Sequence, residues 1–160
     1  MAATKHTLVA LVEDKPGVLN RIASLFRRRG FNIESITVGS TEEAKVSRMT
    51  IVVDGATTAV EQVRKQLEKV IEVLKVADIT QDQMVARELV LIKVKATAQT
   101  RSEIIQLVDI FRGNIADVSS GSVVIEITGD EDKIGSLIKL LKGFGIKEIA
   151  RTGRLAMVRG

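Results

Sequence analysis

The chain has 160 residues, which allows one ordinary domain or two small ones, and its 45% hydrophobic residues exclude a disordered chain. It contains no Cys, Trp or Tyr, which excludes disulfides, thiolate metal sites and a cysteine nucleophile and leaves little for stacking on bases. The net charge of +4 is spread evenly, with twelve Lys and Arg against ten Asp and Glu in each half. No apolar run has the length of a signal or membrane-spanning segment, so a soluble, cytoplasmic protein is predicted.

The first half alternates strand and helix patterns. Apolar residues recur at helical spacing from Pro16 to Arg29, and the basic run that ends at Arg29, followed by Gly30, is typical of a helix end. In the next segment the apolar positions change parity near Glu34 and Ser35, which predicts a bulge. The other elements predicted in this half are strands at 5–13, 31–39, 46–53 and 74–79 and a helix with an apolar stripe from Val60 to Leu74.

The same order of elements begins again after residue 80. The elements predicted here are strands at 87–96, 114–119 and 122–128, helices at 101–112 and 130–142, and a closing strand region at 146–158. The polar residues 80–86 are predicted to form the linker. The fold class is therefore α+β, with two ferredoxin-like βαββαβ domains at 1–80 and 81–160. A fragment that ends after Asp82 is expected to fold as the first domain.

The junction DKPG, between the first strand and the first helix, has two interpretations. In the structural one, Asp14 or a neighbour caps the helix, Pro16 fits the first turn and Gly17 makes the corner. In the functional one, the unpaired N–H groups of the helix start receive a carboxylate, and Gly17 leaves the approach open. The residues alone favour neither.

A free amino acid would also need a partner for its ammonium group and an apolar wall for its side chain. The carboxylate of Asp14 or the side-chain oxygen of Asn32 can bind the ammonium group. Leu19 and Ile33 can form the apolar wall. The spacing of these residues is compatible with an amino-acid pocket.

Several stretches carry a resemblance to a known family. Residues 6–80, with EDKPGVLNRIASLFRRRGFNIESITVG followed by SRMTI, resemble an ACT domain, a small ligand-binding module of amino-acid metabolism. The blocks GFNIESITVG, SRMTIVV, KQLEKVIEVLKV and VDIFRGNIADVS resemble the regulatory small subunit of acetolactate synthase (acetohydroxyacid synthase). The resemblance spans nearly the whole chain.

The resemblance implies a non-catalytic subunit without its own cofactor. Such subunits bind a large catalytic subunit that carries thiamine diphosphate, Mg and FAD, activate it, and confer feedback inhibition by a branched-chain amino acid, chiefly valine. Their ACT domains form a homodimer with the effector at the interface, and the second domain contributes to contact with the catalytic subunit. The effector-binding positions that the resemblance implies are Asp14, Gly17, Val18 and Leu19 of one chain with Asn32, Ile33 and Gly39 of its neighbour. The family often has Asn where this chain has Asp14.

Other functions are less well supported. A stand-alone ACT protein that regulates another partner remains an alternative. The run Arg27 to Arg29 suggests nucleic-acid binding, but it is explained as a helix end and no broad basic face accompanies it. His6, the only histidine, is predicted to lie on the surface, and no nucleophile and base occur in a plausible combination for catalysis. No metal site is predicted.

Overall fold

A computed structural model describes residues 4–160 and has the predicted element order. The first βαββαβ set consists of β1 (Thr4–Glu13), α1 (Val18–Arg28), β2 (Asn32–Ser40), β3 (Val46–Gly55), α2 (Thr57–Glu68) and β4 (Val73–Asp78). The second consists of β5 (Met84–Lys95), α3 (Arg101–Ile110), β6 (Asn114–Val118), β7 (Ser122–Gly129), α4 (Glu131–Leu141) and β8 (Ile146–Arg151), and β9 (Leu155–Val158) follows. The two ferredoxin-like units are thereby confirmed.

Each set forms an antiparallel sheet. The strand order is β2-β3-β1-β4 in the first sheet and β6-β7-β5-β8 in the second, and β9 pairs with β5. In both sheets each of the two central strands leads directly into a helix. The two helices of each unit pack against the apolar face of its sheet. The first core is centred on the fully buried Leu8, Ile22, Phe26, Ile51 and Leu67. The second is centred on the fully buried Ile92, Ile104, Ile125, Ile134 and Leu137.

The parity change in β2 is confirmed as a bulge. Ile33 lies opposite Val53 and Ser35 lies opposite Val52, so Glu34 is the extra residue. The helix end at Gly30 is also confirmed, because Gly30 has a φ of 74°. The bulge changes which side chains of β2 face the helices and which face the other side of the sheet.

Contacts divide the chain differently from the predicted boundary at residue 80. Of the described residues, 4–85 together with 153–160 form one unit, and 86–152 form the other. The predicted closing strand at 146–158 is two strands, because Gly153, with a φ of 85°, interrupts it. Its second part, β9, pairs with β5 and also contacts the first sheet, since Arg48 of β3 donates to the carbonyl of Ala156.

Three further expectations were wrong. His6 is buried, with 4% of its surface exposed, because it pairs with Asp78 across the first sheet. Leu74 does not continue the stripe of α2, since it lies on β4 and is 53% exposed. The predicted linker is shorter than 80–86, because β5 already begins at Met84.

Candidate ligand-binding site

The corner between β1 and α1 is built around Gly17. Gly17 is the N-cap of α1, with a φ of 85°, and no side chain within residues 4–160 caps the helix. The predicted cap by Asp14 is therefore wrong. A Cβ atom built on Gly17 would meet only the Nη2 atom of Arg21, at 3.8 Å, so the space in front of the helix start is open. The left-handed backbone explains why glycine is needed here.

The first turn of α1 has free donors and a positive potential. The N–H of Arg21 donates to the carbonyl of Gly17 (3.1 Å), which closes the first helical turn. Within the described chain, no acceptor is recorded for the N–H groups of Leu19 and Asn20, and no acidic residue occupies the first turn. Unpaired amides at the positive end of a helix dipole attract an anion.

Backbone hydrogen bonds hold this corner from both sides. The N–H of Asp14 donates to the carbonyl of Lys45 (2.9 Å), in the β2–β3 hairpin. The N–H of Glu13 donates to the carbonyl of Glu72 (2.8 Å), just before β4. The guanidinium of Arg21 forms an ion pair with the carboxylate of Glu72. The corner is therefore positioned before any ligand arrives.

Two charged side chains lie at the rim of the corner. The Nζ atom of Lys15 lies 2.8 Å from Oε2 of Glu13, and the hydrogen bond with the Glu13 carboxylate raises the pKa of Lys15 above its usual value. Asp14 is exposed. The ammonium group of Lys15 is thus engaged by Glu13, whereas the carboxylate of Asp14 faces solvent.

The predicted site residues of the corner have different surroundings. Asp14, Gly17 and Leu19 are exposed, Leu19 by 48%. The side chain of Val18 is buried in the first core, so only its backbone can contribute to binding. Gly39 is exposed near the end of β2, at the same end of the sheet as the corner, because Ser40 pairs with Ser47 and Glu13 pairs with Val46.

Asn32 and Ile33 lie at the opposite end of the sheet. Asn32 pairs with Asp54, which in turn pairs with Lys5 at the start of β1. Lys5 lies on β1 and Asp14 directly follows that strand, nine residue steps away, which corresponds to about 30 Å. The side chain of Ile33 packs partly against the first core. A single chain therefore does not bring these two residues to the corner, and a common site would need a second copy.

Sequence reasoning missed Val38 as a candidate. Val38 lies on β2 near the corner's end of the sheet, opposite Met49, and is 49% exposed. The signal was the parity change after Glu34, which puts Val38 on the same side of the sheet as the core. Val38 and Leu19 are the exposed apolar side chains at this end of β2 and α1.

A second polar cluster in the first unit joins β1 to β4. The Nδ1 atom of His6 lies 2.8 Å from Oδ2 of Asp78, and the N–H of Thr80 donates to Oδ1 of Asp78 (3.0 Å). Burial favours the neutral carboxyl of Asp78, but hydrogen bonds from the Thr80 hydroxyl and amide and from His6 outweigh it and lower its pKa. The hydroxyl of Thr80 also accepts the N–H of Thr7 (3.0 Å). These contacts fix the end of β4 to the start of β1.

The described residues contain neither a membrane-spanning helix nor a cluster of metal ligands. Among residues 4–160, no helix is both long and apolar enough to cross a membrane. In the same part of the chain, no three His, Asp or Glu side chains converge as metal ligands would.

The fold and the open helix start define a class of protein: an α+β protein of two ferredoxin-like units whose first unit is an ACT domain. A family model described as the AHAS small subunit-like ACT domain matches residues 8–75, and one described as the small subunit of acetolactate synthase matches residues 87–160. The chain belongs to the acetolactate synthase small-subunit family.

Relatives and a solved structure match over nearly the full length. A probable acetolactate synthase small subunit of Archaeoglobus fulgidus is 60% identical over 156 residues, 98% of each chain. An acetolactate synthase small subunit of Mycobacterium bovis is 51% identical over 160 residues, covering 100% of this chain and 95% of that one. The crystal structure of the acetolactate synthase small subunit from Thermotoga maritima matches with a TM-score of 0.88 and 46% identity over 98% of each chain.

Proposed function

We propose that this protein is the regulatory subunit of an acetolactate synthase in branched-chain amino-acid biosynthesis. It activates a catalytic large subunit that carries thiamine diphosphate, Mg and FAD, and it makes that subunit sensitive to valine or a related branched-chain amino acid. The names of the full-length relatives support the partner, and the open start of α1 is the observation that carries the effector site.

The carboxylate of the effector binds at the first turn of α1. The N–H groups of Leu19 and Asn20 in this turn have no recorded acceptor among the described residues, and Gly17 leaves the approach open. Valine, leucine and isoleucine share the carboxylate and the ammonium group and differ only in apolar side chains, which Leu19 and Val38 are placed to contact. The carboxylate of Asp14, which is exposed at the rim, binds the ammonium group.

A homodimer through β2 completes this site. β2 is an edge strand of the first sheet. Asn32 and Gly39 lie near its two ends, so they contribute to one site only if a second copy brings them together. Antiparallel pairing of two β2 edges brings Asn32 of the partner subunit to the end of the sheet where Gly39 and the corner lie. The amide oxygen of that residue then provides a second partner for the ammonium group.

The effector acts through linkage. A ligand that binds one arrangement of the paired ACT domains more tightly shifts the assembly toward that arrangement, by no more than its difference in affinity. Coupling of this kind is typically about 1–3 kcal/mol, or about 5–150-fold in affinity. Catalytic output falls as the effector accumulates.

Calorimetric titration of the full chain with valine, leucine and isoleucine tests the effector site. Isovalerate, which lacks the ammonium group, and valinamide, which lacks the carboxylate, serve as matched ligands and are expected to bind at least about tenfold more weakly than valine, the equivalent of one lost charged contact. No binding of any of the three amino acids would overturn the effector site.

Reconstitution with the large subunit tests the partner. Acetolactate formation is expected to rise when this chain is added and to fall again with the effector that calorimetry identifies. Effector binding without any change in activity would favour a stand-alone ACT protein that regulates another partner.

A further inference from the structure

Residues 153–160, here called the strap, lie against the first sheet. The hydroxyl of Thr37 donates to the carbonyl of Arg154 (3.0 Å), and the Nη2 group of Arg48 donates to the carbonyl of Ala156 (2.7 Å). The Nη1 group of Arg154 donates to the hydroxyl of Thr7 (3.0 Å). The strap therefore contacts all three adjacent strands, β1, β2 and β3.

These contacts share one face of the sheet, opposite the helices. The register places Thr7 and Ser35 on either side of Val52, and Thr37 beside Thr50. Val52 and Thr50 are buried, with 1% and 0% of their surface exposed, so this face is shielded from solvent as the core face is. A sheet face that is shielded in this way is part of the folded unit and not a free surface.

The strap approaches the sheet closely at Gly153. A Cβ atom on Gly153 would lie 2.7 Å from Cβ of Ser35, and Gly153 also has a φ of 85°. The N–H of Arg154 donates to the hydroxyl of Ser35 at 3.4 Å. Any larger residue at position 153 would push the strap away from β2.

The contacts lie in the part of β2 that separates its two groups of site residues. Ser35 and Thr37 lie between Ile33 and Gly39, and Arg48 pairs with Gly39 across the ladder. β2 has only β3 as a neighbour in its sheet, so the strap supplies its other fixed contacts on this face. Loss of the strap would leave the bulged strand free to shift.

We propose that the strap is a positioning element of the effector site: it holds β2 in the register and curvature that effector binding requires. This inference rests on the proposed function of the ACT domain. By reciprocity, strap docking and effector binding stabilise each other, so each tightens the other by the same factor. Ser35, Thr37 and Arg48 are positioning residues and do not touch the effector themselves.

The substitution Gly153→Ala tests the proposal, with Gly145→Ala as the matched control. Both glycines have positive φ, but the Cβ on Gly145 meets only the side chain of Lys95, at ordinary distances of 3.6 and 3.9 Å, in the second unit. Gly153→Ala is expected to weaken effector binding at least about fivefold, the lower end of typical coupling. Gly145→Ala is expected to leave it unchanged. Thr37→Val, which removes the hydroxyl at nearly constant volume, gives a smaller loss in the same direction.

Hydrogen exchange separates positioning from simple loss of stability. In the unaltered chain, the effector is expected to slow exchange of the strap amides, including the N–H of Arg159 that donates to the carbonyl of Gln83 (2.8 Å). A chain that lacks residues 153–160 is expected to bind the effector weakly and to recover affinity when the peptide GRLAMVRG is added in excess. The peptide would restore stability as well as position, so the slowing of strap exchange by the effector is the result that indicates positioning.

The outcomes distinguish this inference from the proposed function. If the unaltered chain binds none of the branched-chain amino acids, the proposed function fails, and with it the strap's role in effector binding. If the unaltered chain binds an effector, but strap exchange does not respond and Gly153→Ala and the deletion both bind it equally well, the proposed function stands and the strap inference is overturned.

Discussion

The corresponding corners of the two units have the same fold and different chemistry. In the first unit, Gly17 caps α1 without a side chain, and the first turn of that helix holds no acid in the described structure. In the second unit, the N–H of Thr97 donates to the hydroxyl of Thr100 (2.8 Å), and the N–H of Thr100 donates to the hydroxyl of Thr97 (3.2 Å). Glu103 lies in the first turn of α3.

The second helix of each unit extends the comparison. In the second unit, the carboxylate of Asp130 accepts the N–H of Lys133 (2.9 Å) and caps α4. In the first unit, α2 begins without a side-chain cap in the part of the chain that the structure describes, but its entry is packed: a Cβ on Gly55 would overlap Phe31. α3 also begins without a side-chain cap in the described structure, but it carries Glu103 in its first turn, whereas the open start of α1 has no acid there. The same fold therefore presents different helix starts, and the fold itself does not create the candidate site.

The units also differ in what they bury. Of the side chains whose burial the structure describes, the buried polar ones are His6, Thr7, Ser47 and Thr50, and all lie in the first unit. The second core is formed by apolar side chains, mainly Ile, Val and Leu. Buried polar groups favour defined partners, and His6 and Thr7 have them in Asp78 and Arg154, so directional contacts add to packing in the interior of the first unit.

The largest effect is expected for Gly17→Asp. The new carboxylate lies beside the N–H groups of Leu19 and Asn20 and occupies the place of the effector's carboxylate, and the left-handed φ adds strain. Effector binding measured by calorimetry is expected to weaken at least about a hundredfold, about 2.7 kcal/mol. The first unit would then carry an acid at the start of its first helix, as the second unit does with Glu103.

Gly17→Ala is the matched control for that change. It adds the strain and one methyl group but no charge and no acceptor, so affinity is expected to fall by less than about tenfold. Equal losses for both variants would show that backbone strain, and not occupation of the anion position, controls binding.

The next largest effect is expected for Asp78→Asn, which tests the contribution of the polar contacts in the first unit. The change removes a carboxylate that accepts hydrogen bonds from Thr80 and His6, and the free energy of unfolding at neutral pH is expected to fall by about 2 kcal/mol. Asp82→Asn, at an exposed position, is the control and is expected to change it by less than about 0.5 kcal/mol.

The contribution of Asp78 to stability is expected to depend on pH. Because the pKa of Asp78 is lowered in the folded protein, its contribution is present above the unfolded-state pKa of about 4 and is lost as the pH falls through the folded-state value. The stability difference between the unaltered chain and Asp78→Asn is expected to shrink as the pH falls from about 5 toward 2, as followed by thermal unfolding. A difference that stays constant over this range would contradict the assignment.

The smallest effect is expected for Asp130→Ala. Loss of the cap on α4 costs about 1 kcal/mol of stability in the second unit, measured by denaturant unfolding or by hydrogen exchange in α4. Asp132→Ala, in the same first turn, is expected to cost only a few tenths of a kcal/mol, because Asp132 acts through the helix dipole alone. Effector affinity is expected to stay unchanged in both variants, because the proposed effector site lies in the first unit and the cap on α4 lies in the second.

Local patterns predicted much of this architecture. The period of the apolar residues predicted both βαββαβ units, and the parity change near Glu34 predicted the bulge. The open corner at Gly17 was predictable, because a glycine between a strand and a helix is a local signal, and its role as a binding site stays a prediction. The seven site residues stay a prediction as a set, and their distribution over two ends of the first sheet followed only from the register.

Features that depend on distant residues were not predictable. His6 is buried because of Asp78, which lies 72 positions away. The strap belongs to the first unit through contacts such as the one between Arg154 and Thr7, 147 positions apart. No periodicity within a short window carries such information, and a fragment that ends after Asp82 would lack the strap altogether.

The strap also has a consequence for biosynthesis. A ribosome makes residues 4–78 first, but it releases residues 153–160 only after the whole second unit. One face of the first sheet therefore stays uncovered while the second unit emerges and folds. During that interval this face can bind chaperones or wrong partners. The unit that begins the chain is the last one to be finished.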